Sequence, residues 1–176
     1  MFAKALRFAM DAHKAQVRKY TGLPYIMHPI RVANRARDYF SKNSPEVVAA
    51  LLHDTVEDCE VSLEEIEKEF STEVRLVVWG LTSYSKQLRL EKTHRRAERK
   101  EIDRFFLSAR GENVRILKLI DRIDNMLEIP AGESFANVYA EESQRLIDSI
   151  KFGLPDLLVS EAYSVLRGLN ANKRIS

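Results

Sequence analysis

Hydrophobic residues recur along this chain at intervals of three and four, the spacing of amphipathic α-helices. The spacing predicts a first helix over residues 2–17 and a long one over residues 114–127. Two further helices are predicted over residues 135–152, closed by Gly153, and over residues 156–169. Alternation of apolar and polar residues, as in a half-buried strand, does not extend over a convincing length. The pattern therefore predicts an all-α fold.

Helix start signals divide the middle of the chain. Pro29 has the character of a first helical residue, which predicts that His28 is the N-cap of that helix. Ser44 precedes a proline and the apolar run over residues 47–52, and it predicts a buried central helix. Ser62, with a glutamate three residues later, predicts a capping box for a short helix ending near residue 70. Ser71 is then expected to cap the next helix, through residue 79.

Composition narrows the class of protein. The 176 residues are 45% hydrophobic and contain no Gly/Ser-rich linker, so we expect a single domain over residues 1–176. The single cysteine, Cys59, excludes an internal disulfide, and neither a secretory signal nor a membrane-spanning stretch is present, so a cytoplasmic location is expected. A formal charge of +2 is too balanced to predict binding to nucleic acid.

The strongest candidate chemistry follows the buried run directly. His53, Asp54, Glu57 and Asp58 are four ionisable groups at the end of an apolar segment, where burial of charge requires a compensating partner. On a continuous helix His53 and Glu57 would be one turn apart, as would Asp54 and Asp58. Such a cluster repels itself and would be held together by a cation. An imidazole beside a carboxylate suits a divalent metal.

Further ligands must come from other segments. His28 at a helix entrance and Asp121 within an apolar helix are the best candidates, and Asn125 is expected on the same helical face as Asp121. Each has an ordinary alternative. A histidine before proline is more often a cap or a packed core residue, and Asp121 could be exposed or paired with Arg115 or Arg122. The combination of these residues is more informative than any one of them.

The combination resembles the hydrolase domain of the RelA/SpoT family, and in particular its stand-alone small alarmone hydrolases, because no synthetase or regulatory segment follows. The segments that carry the resemblance are Arg18-Lys19, 24–29 (PYIMHP), 51–58 (LLHDTVED) and 118–125 (KLIDRIDN). The resemblance implies an HD-domain helical bundle and hydrolysis of the 3′-pyrophosphate of guanosine tetra- or pentaphosphate (ppGpp to GDP plus pyrophosphate) by a metal-activated water. It also implies that manganese is held by His28, His53, Asp54 and Asp121. Zinc or another divalent metal would suit the same donors.

Further roles are expected, for Arg18, Lys19 and Asn125 from the resemblance and for Glu57, Asp58 and Tyr139 from their chemistry and position. Glu57 and Asp58 are expected to orient or deprotonate the water, and a small-molecule nucleotide is the expected partner. The residues expected to bind the substrate are Arg18, Lys19, Asn125 and Tyr139. Their ordinary alternatives are an exposed basic loop, a helix-face amide and a core tyrosine. The sequence leaves the oligomeric state open, including a homo-oligomer.

The segment over residues 81–110 departs from the family pattern. It is rich in lysine and arginine between Lys86 and Arg104, which favours either a solvated helix with i,i+4 ion pairs or a face that attracts a polyphosphate. The departure leaves open another nucleotide or phosphate ester as substrate. A second alternative is a non-catalytic module that binds RNA or protein through the basic segment over residues 86–104. The intact set of histidines and acids argues against that second alternative, because carboxylates without a cation only repel one another.

Overall fold

The computed structural model describes residues 1–130 and 133–171, and within these ranges the regular structure is helical. This confirms the all-α prediction. Only one isolated β-bridge, between Val17 and Pro24, occurs in the described part of the chain. The helices are α1 (Phe2–Ala12), α2 (Met27–Ala36), α3 (Pro45–Leu52), α4 (Thr55–Asp58), α5 (Leu63–Glu69), α6 (Thr72–Leu81), α7 (Tyr84–Gln87), a 3-10 helix (Leu90–Lys92), α8 (Arg96–Ser108), α9 (Glu112–Glu128), α10 (Ala136–Ile150) and α11 (Asp156–Ala171).

Helix α3 forms the centre of the core. Every residue from 47 to 52 is fully buried, and the helix packs against α1, α2, α6 and α9. The Ser44 hydroxyl accepts a hydrogen bond from the Val47 amide at 3.4 Å, so the predicted N-cap is confirmed. Burial of each leucine at the end of this helix contributes about 1.5–3 kcal/mol. The end of α3 is consequently a rigid platform.

Helix α1 is shorter than predicted, because it ends at Ala12 and not at residue 17. The next residues turn back, and the chain forms a tight loop in which Arg18 N donates to Leu23 O and Tyr25 N donates to Gln16 O. The Gln16 side chain also donates to the Asp58 carbonyl at 2.7 Å. These contacts with distant residues replace the last turn of the predicted helix.

The start of α2 also differs from the prediction. The helix begins at Met27, so His28 lies in its first turn and is not the N-cap. The backbone is already turning there, since His28 N donates to Tyr25 O at 3.0 Å. Pro29 is accommodated because the N–H groups of the first turn need no partner within the helix.

The helix through the predicted acidic cluster is interrupted. Helix α3 ends at Leu52 and α4 begins at Thr55, with His53 and Asp54 in the turn between them. The Thr55 hydroxyl donates to Leu52 O at 2.7 Å and His53 Nδ1 donates to Ala50 O at 2.9 Å. These two side chains thus donate to backbone carbonyls of the last turn in place of backbone amides, and the helix ends there. Asp54 and Asp58 are nevertheless one helical turn apart, because the Asp58 amide donates a hydrogen bond to the Asp54 carbonyl.

The other predicted boundaries are close to those observed. The Ser62 hydroxyl accepts from the Glu65 amide at 3.1 Å, although within the described residues the Glu65 side chain does not return the bond that completes a capping box. Ser71 caps α6, which extends two residues further than predicted. Gly153 has a positive φ of 73° beyond α10, as its predicted role requires. In the described part of the chain, no helix combines the length and apolar character needed to cross a membrane.

Candidate functional site

Four side chains from three separate segments meet at the end of α3. His28 comes from α2, His53 and Asp54 from the turn after α3, and Asp121 from α9. Asp121 Oδ1 lies 3.1 Å from His28 Nε2 and 3.7 Å from His53 Nε2. Asp54 Oδ2 lies 3.6 Å from His28 Nε2 and 3.1 Å from His53 Nε2. The structure therefore brings together the four residues predicted from the sequence.

The Nε2 atoms of both imidazoles are buried and make no hydrogen bond within the described residues. Their opposite nitrogens are occupied. His28 Nδ1 lies 2.6 Å from Asp124 Oδ2, and His53 Nδ1 lies 2.9 Å from Ala50 O. With a proton on each Nδ1, both Nε2 lone pairs are directed toward the two carboxylates. His28, His53 and Asp54 each offer a ligand atom within 4.8 Å of the others, a donor set that fits a divalent metal. Asp121 Oδ1 adjoins both imidazole nitrogens and is the candidate fourth ligand.

The two carboxylates are also held in place. The Tyr25 hydroxyl donates to Asp54 Oδ2 at 2.8 Å. Asn125 Nδ2 donates to Asp121 Oδ1 at 2.6 Å, which confirms that these two residues share a helical face. Lys118 Nζ lies 2.9 Å from Asp121 Oδ2. The cation paired with Asp121 is therefore a lysine one turn earlier, and neither of the arginines considered from the sequence.

The pKa values of the cluster reflect this arrangement. Burial lowers the pKa of His28, but the neighbouring carboxylates outweigh it and raise that pKa above its ordinary value. The same balance raises the pKa of His53 strongly. Burial raises the pKa of Asp54 and Asp121, yet the cations around them outweigh it, so both pKa values are lowered; Lys118 has the largest such effect on Asp121. The carboxylates thus stay ionised and favour positive charge between them.

Glu57 and Asp58 lie beside the cluster and share one lysine. Lys86 Nζ is 3.0 Å from Glu57 Oε2 and 2.8 Å from Asp58 Oδ1. The Ser83 amide donates to Glu57 Oε1. The Glu57 side chain is only 11% exposed, whereas that of Asp58 is 38% exposed. Lys86 therefore balances the two acids and fixes their orientation.

The four residues predicted to bind substrate line one cavity of about 310 Å³, which we call the Arg18 cavity. Its lining includes Arg18, Lys19, Tyr20, Tyr25, Asn125, Glu128, Phe135 and Tyr139. Arg18 is an ordered part of the wall, since its guanidinium contacts Glu128 at 2.5 Å and donates to Asn125 Oδ1 at 2.7 Å. Lys19 is exposed, with its ammonium 4.7 Å from the centre of the Tyr20 ring. Tyr25 and Asn125 connect this cavity to the carboxylates of the cluster.

Sequence reasoning did not assign the supporting residues. Tyr25, Lys118 and Asp124 stand within the recognised segments. The i,i+3 spacing of Lys118 and Asp121 on one helix is a local signal for their pairing, whereas nothing local shows what Tyr25 and Asp124 touch. Lys86 belongs to the basic segment over residues 86–104, and the sequence does not predict its contacts with Glu57 and Asp58. The signal available in advance was spacing: Tyr25 is three residues before His28, and Asp124 is three residues after Asp121.

The basic segment does not form one helix. It is divided among α7, the 3-10 helix and α8, and its ion pairs include Arg95–Glu98 and Arg104–Glu101 at i,i+3 spacing, not the i,i+4 spacing expected. Arg96 makes a bidentate pair with Glu142 of α10, at 2.8 Å for both bonds. Part of this segment is therefore used in packing α8 on α10.

Comparisons with known proteins identify relatives of this chain. The family model described as HD domain matches residues 5–147. The chain is 34% identical, over 99% of its length, to a Synechocystis protein named probable guanosine-3′,5′-bis(diphosphate) 3′-pyrophosphohydrolase, and 33% identical, over 97%, to the Aquifex aeolicus protein named guanosine-3′,5′-bis(diphosphate) 3′-pyrophosphohydrolase. It spans 24% and 26% of the length of these relatives.

A solved structure supports the same likeness. It is described as a metazoan orthologue of SpoT that hydrolyses ppGpp and plays a role in starvation responses. The two folds match with a TM-score of 0.80 and 26% sequence identity, over 95% of this chain and 94% of the other. The resemblance predicted from the sequence segments is confirmed by these relatives.

Proposed function

The chain belongs to the HD-domain family, and on that basis we propose that it is a manganese-dependent hydrolase that removes the 3′-pyrophosphate of ppGpp. Water would cleave the bond between the ribose 3′-oxygen and its diphosphate, releasing GDP and pyrophosphate. The proposal rests on the relatives named above together with the geometry of the cluster and of the Arg18 cavity.

One observation carries the proposal. Two buried imidazole nitrogens without hydrogen bonds face two ionised carboxylates, and the Arg18 cavity adjoins them through Tyr25 and Asn125. Each Nε2 lies 3.1 Å from a carboxylate oxygen without forming a hydrogen bond to it, and buried polar groups left in this way cost free energy. A cation satisfies both nitrogens at once.

We assign the metal to His28, His53, Asp54 and Asp121. When bound, a divalent cation would withdraw charge from a phosphoryl oxygen and lower the pKa of an attacking water. Asp124 and the Ala50 carbonyl would keep Nε2 of each imidazole as the donor, through their bonds to Nδ1. Manganese is the metal that the family resemblance implies.

Glu57 and Asp58 would position the attacking water and accept its proton. Lys86 holds both carboxylates in one orientation, and the Ser83 amide fixes Glu57 further. The Arg18 cavity would hold the nucleoside, with Arg18 and Lys19 supplying cationic and stacking contacts and Tyr139 an aromatic wall.

The direct test uses purified protein stripped of metal and incubated with ppGpp, with and without manganese. We expect GDP and pyrophosphate to form only when metal is present. Chromatography measures both products. His53→Ala and Asp54→Ala should lose both metal and turnover, because each removes a ligand. His94→Ala is the matched control, since His94 is exposed and outside the cluster.

The outcomes separate the alternatives. Turnover retained in Asp54→Ala would contradict the metal assignment. If ppGpp stays intact while another nucleotide or phosphate ester in a parallel panel is cleaved, the hydrolytic site stands and the substrate assignment is wrong. If no compound is cleaved, the module would be a binding protein.

A further inference from the structure

A second cavity, of about 270 Å³, is lined by residues of α6, α8, α9 and α10. We call it the Lys100 cavity. It shares no lining residue with the Arg18 cavity in the described part of the chain. Its wall is partly apolar, but six cationic side chains contribute to it: Lys100, Arg104, Arg110, Lys118, Arg122 and Arg145. This concentration of positive charge is not used by the proposed chemistry.

Four of these cations, Lys100, Arg110, Arg122 and Arg145, form no ion pair within the described residues, and Arg122 and Lys100 are the two on which the site depends. Arg122 is only 9% exposed, and its guanidinium contacts the Ser143 hydroxyl at 3.5 Å and the Tyr139 ring at 4.5 Å. Lys100 is half-buried. Among the described residues neither forms an ion pair with a carboxylate. Burial, and then the charges of Arg122 and Lys118, lower the pKa of Lys100, although the charge of Asp103 opposes them. All three cations line the same cavity.

The acidic residues of the wall are engaged elsewhere or exposed. Asp103 accepts hydrogen bonds from the Ser85 amide and hydroxyl, at 2.7 and 3.0 Å. Glu142 is bound by both guanidinium nitrogens of Arg96. Glu141 is exposed to solvent. The wall therefore does not supply the anion that the buried cations require.

Burial of unpaired positive charge costs free energy, and an anion held between the cations would offset that cost. We propose that the Lys100 cavity is a phosphate-binding site, in which Lys100, Lys118 and Arg122 hold a phosphate or diphosphate group. Phosphate suits it because guanidinium and ammonium groups bind phosphate oxygens by charge-assisted hydrogen bonds. The apolar part of the wall would contact the rest of a phosphorylated ligand.

The site has a physical connection to the metal cluster. Lys118 lines the Lys100 cavity, and its Nζ lies 2.9 Å from Asp121 Oδ2. The phosphate could therefore come from the pyrophosphate of the substrate or from a separate phosphorylated molecule. The inference itself does not depend on the proposed hydrolysis, since it rests on charge and burial in a different cavity.

The test measures binding of inorganic phosphate by calorimetry to the protein loaded with manganese and freed of excess metal. Lys100→Gln should lower the affinity about tenfold or more, because it removes a charge-assisted hydrogen bond. Lys100→Arg keeps the charge and should retain most of the affinity. Lys92→Gln is the control, because it removes the same charge from an exposed position outside the cavity. If Lys100→Gln fails to fold, Arg145→Gln at the exposed edge of the cavity replaces it.

Absence of phosphate binding in the unchanged protein, or equal binding by Lys100→Gln, would overturn the inference. A parallel kinetic measurement then separates the sources of the phosphate. If Lys100→Gln also raises KM for ppGpp or weakens inhibition by pyrophosphate, the cavity holds the phosphates of substrate or product. If its kinetics match those of Lys92→Gln while phosphate binding is lost, the ligand is a separate phosphorylated molecule. Failure of ppGpp hydrolysis altogether would leave the binding result unaffected.

Discussion

At the scale of single residues, the two imidazoles of the proposed metal site differ in how they are held. His53 depends on a backbone carbonyl, which substitution cannot remove. His28 depends on Asp124, which is itself fixed by two hydrogen bonds from Arg31, at 2.7 and 2.8 Å. The orientation of His28 is therefore open to test by changing one side chain that would not touch the metal.

We expect Asp124→Asn to weaken manganese binding about 10–100-fold, because the neutral amide no longer supports the basicity and orientation of His28. The measurement is a manganese titration by calorimetry. Asp11→Asn, which changes an exposed aspartate of α1, serves as the control and should bind as tightly as the unchanged protein. Equal affinity in Asp124→Asn would show that His28 needs no such support.

Glu57→Gln is expected to separate metal binding from turnover. The amide keeps the size of the side chain but cannot take a proton, so kcat for ppGpp should fall about 10²–10⁴-fold while manganese content is unchanged. Steady-state kinetics and metal analysis of the same preparation provide both values. Glu60→Gln, at an exposed position nearby, should leave kcat unchanged. An unaltered kcat in Glu57→Gln would remove Glu57 from the reaction.

At the scale of helices, the close approach of α6 and α9 depends on a missing side chain. A Cβ at Gly80 would lie 2.9 Å from Val114 Cγ2, which is closer than atoms can pack. Helix α9 carries Asp121, so this contact also positions a residue of the cluster. Gly168, on an exposed face of α11, has no atom within 4 Å of the equivalent position.

Two identical substitutions should therefore have opposite effects on the free energy of unfolding. Gly80→Ala should lower it by about 1–3 kcal/mol, because the two helices must separate or strain. Gly168→Ala should raise it by roughly 0.5–1 kcal/mol, since alanine favours a helix and meets no neighbour. Denaturation in urea provides both values. A destabilised Gly168→Ala would contradict the helical packing described for α11.

Element boundaries were predictable where the signal was local. The hydroxyls of Ser44 and Ser71 cap helices as predicted, because a cap involves a side chain and a backbone three residues away. The length of α1 and the break after α3 were not predictable. The end of α1 depends on the hydrogen bond from the Gln16 side chain to the Asp58 carbonyl, which joins two distant segments. The break after α3 depends on the His53 and Thr55 side chains, which donate to backbone carbonyls of that helix.

At the scale of the whole molecule, the cluster exists only in the folded chain, because its four donors belong to segments that packing alone brings together. A metal that binds only the folded state stabilises it. Free manganese at a hundred times its dissociation constant should therefore raise the free energy of unfolding by about 2.7 kcal/mol. Denaturation with and without manganese measures the difference, which His53→Ala should abolish. Equal stability under both conditions would contradict a preformed site.

The sequence by itself determined the helical class, most helix positions, the residue types of the candidate metal centre and the family resemblance. These follow from signals that act within a few residues or from the order of short segments. Only the tertiary structure decided which side chains from separate segments touch: Asp124 beside His28, and Lys86 between Glu57 and Asp58. It also revealed the Lys100 cavity. Such contacts join residues whose distance depends on how helices pack, and no local pattern carries that information.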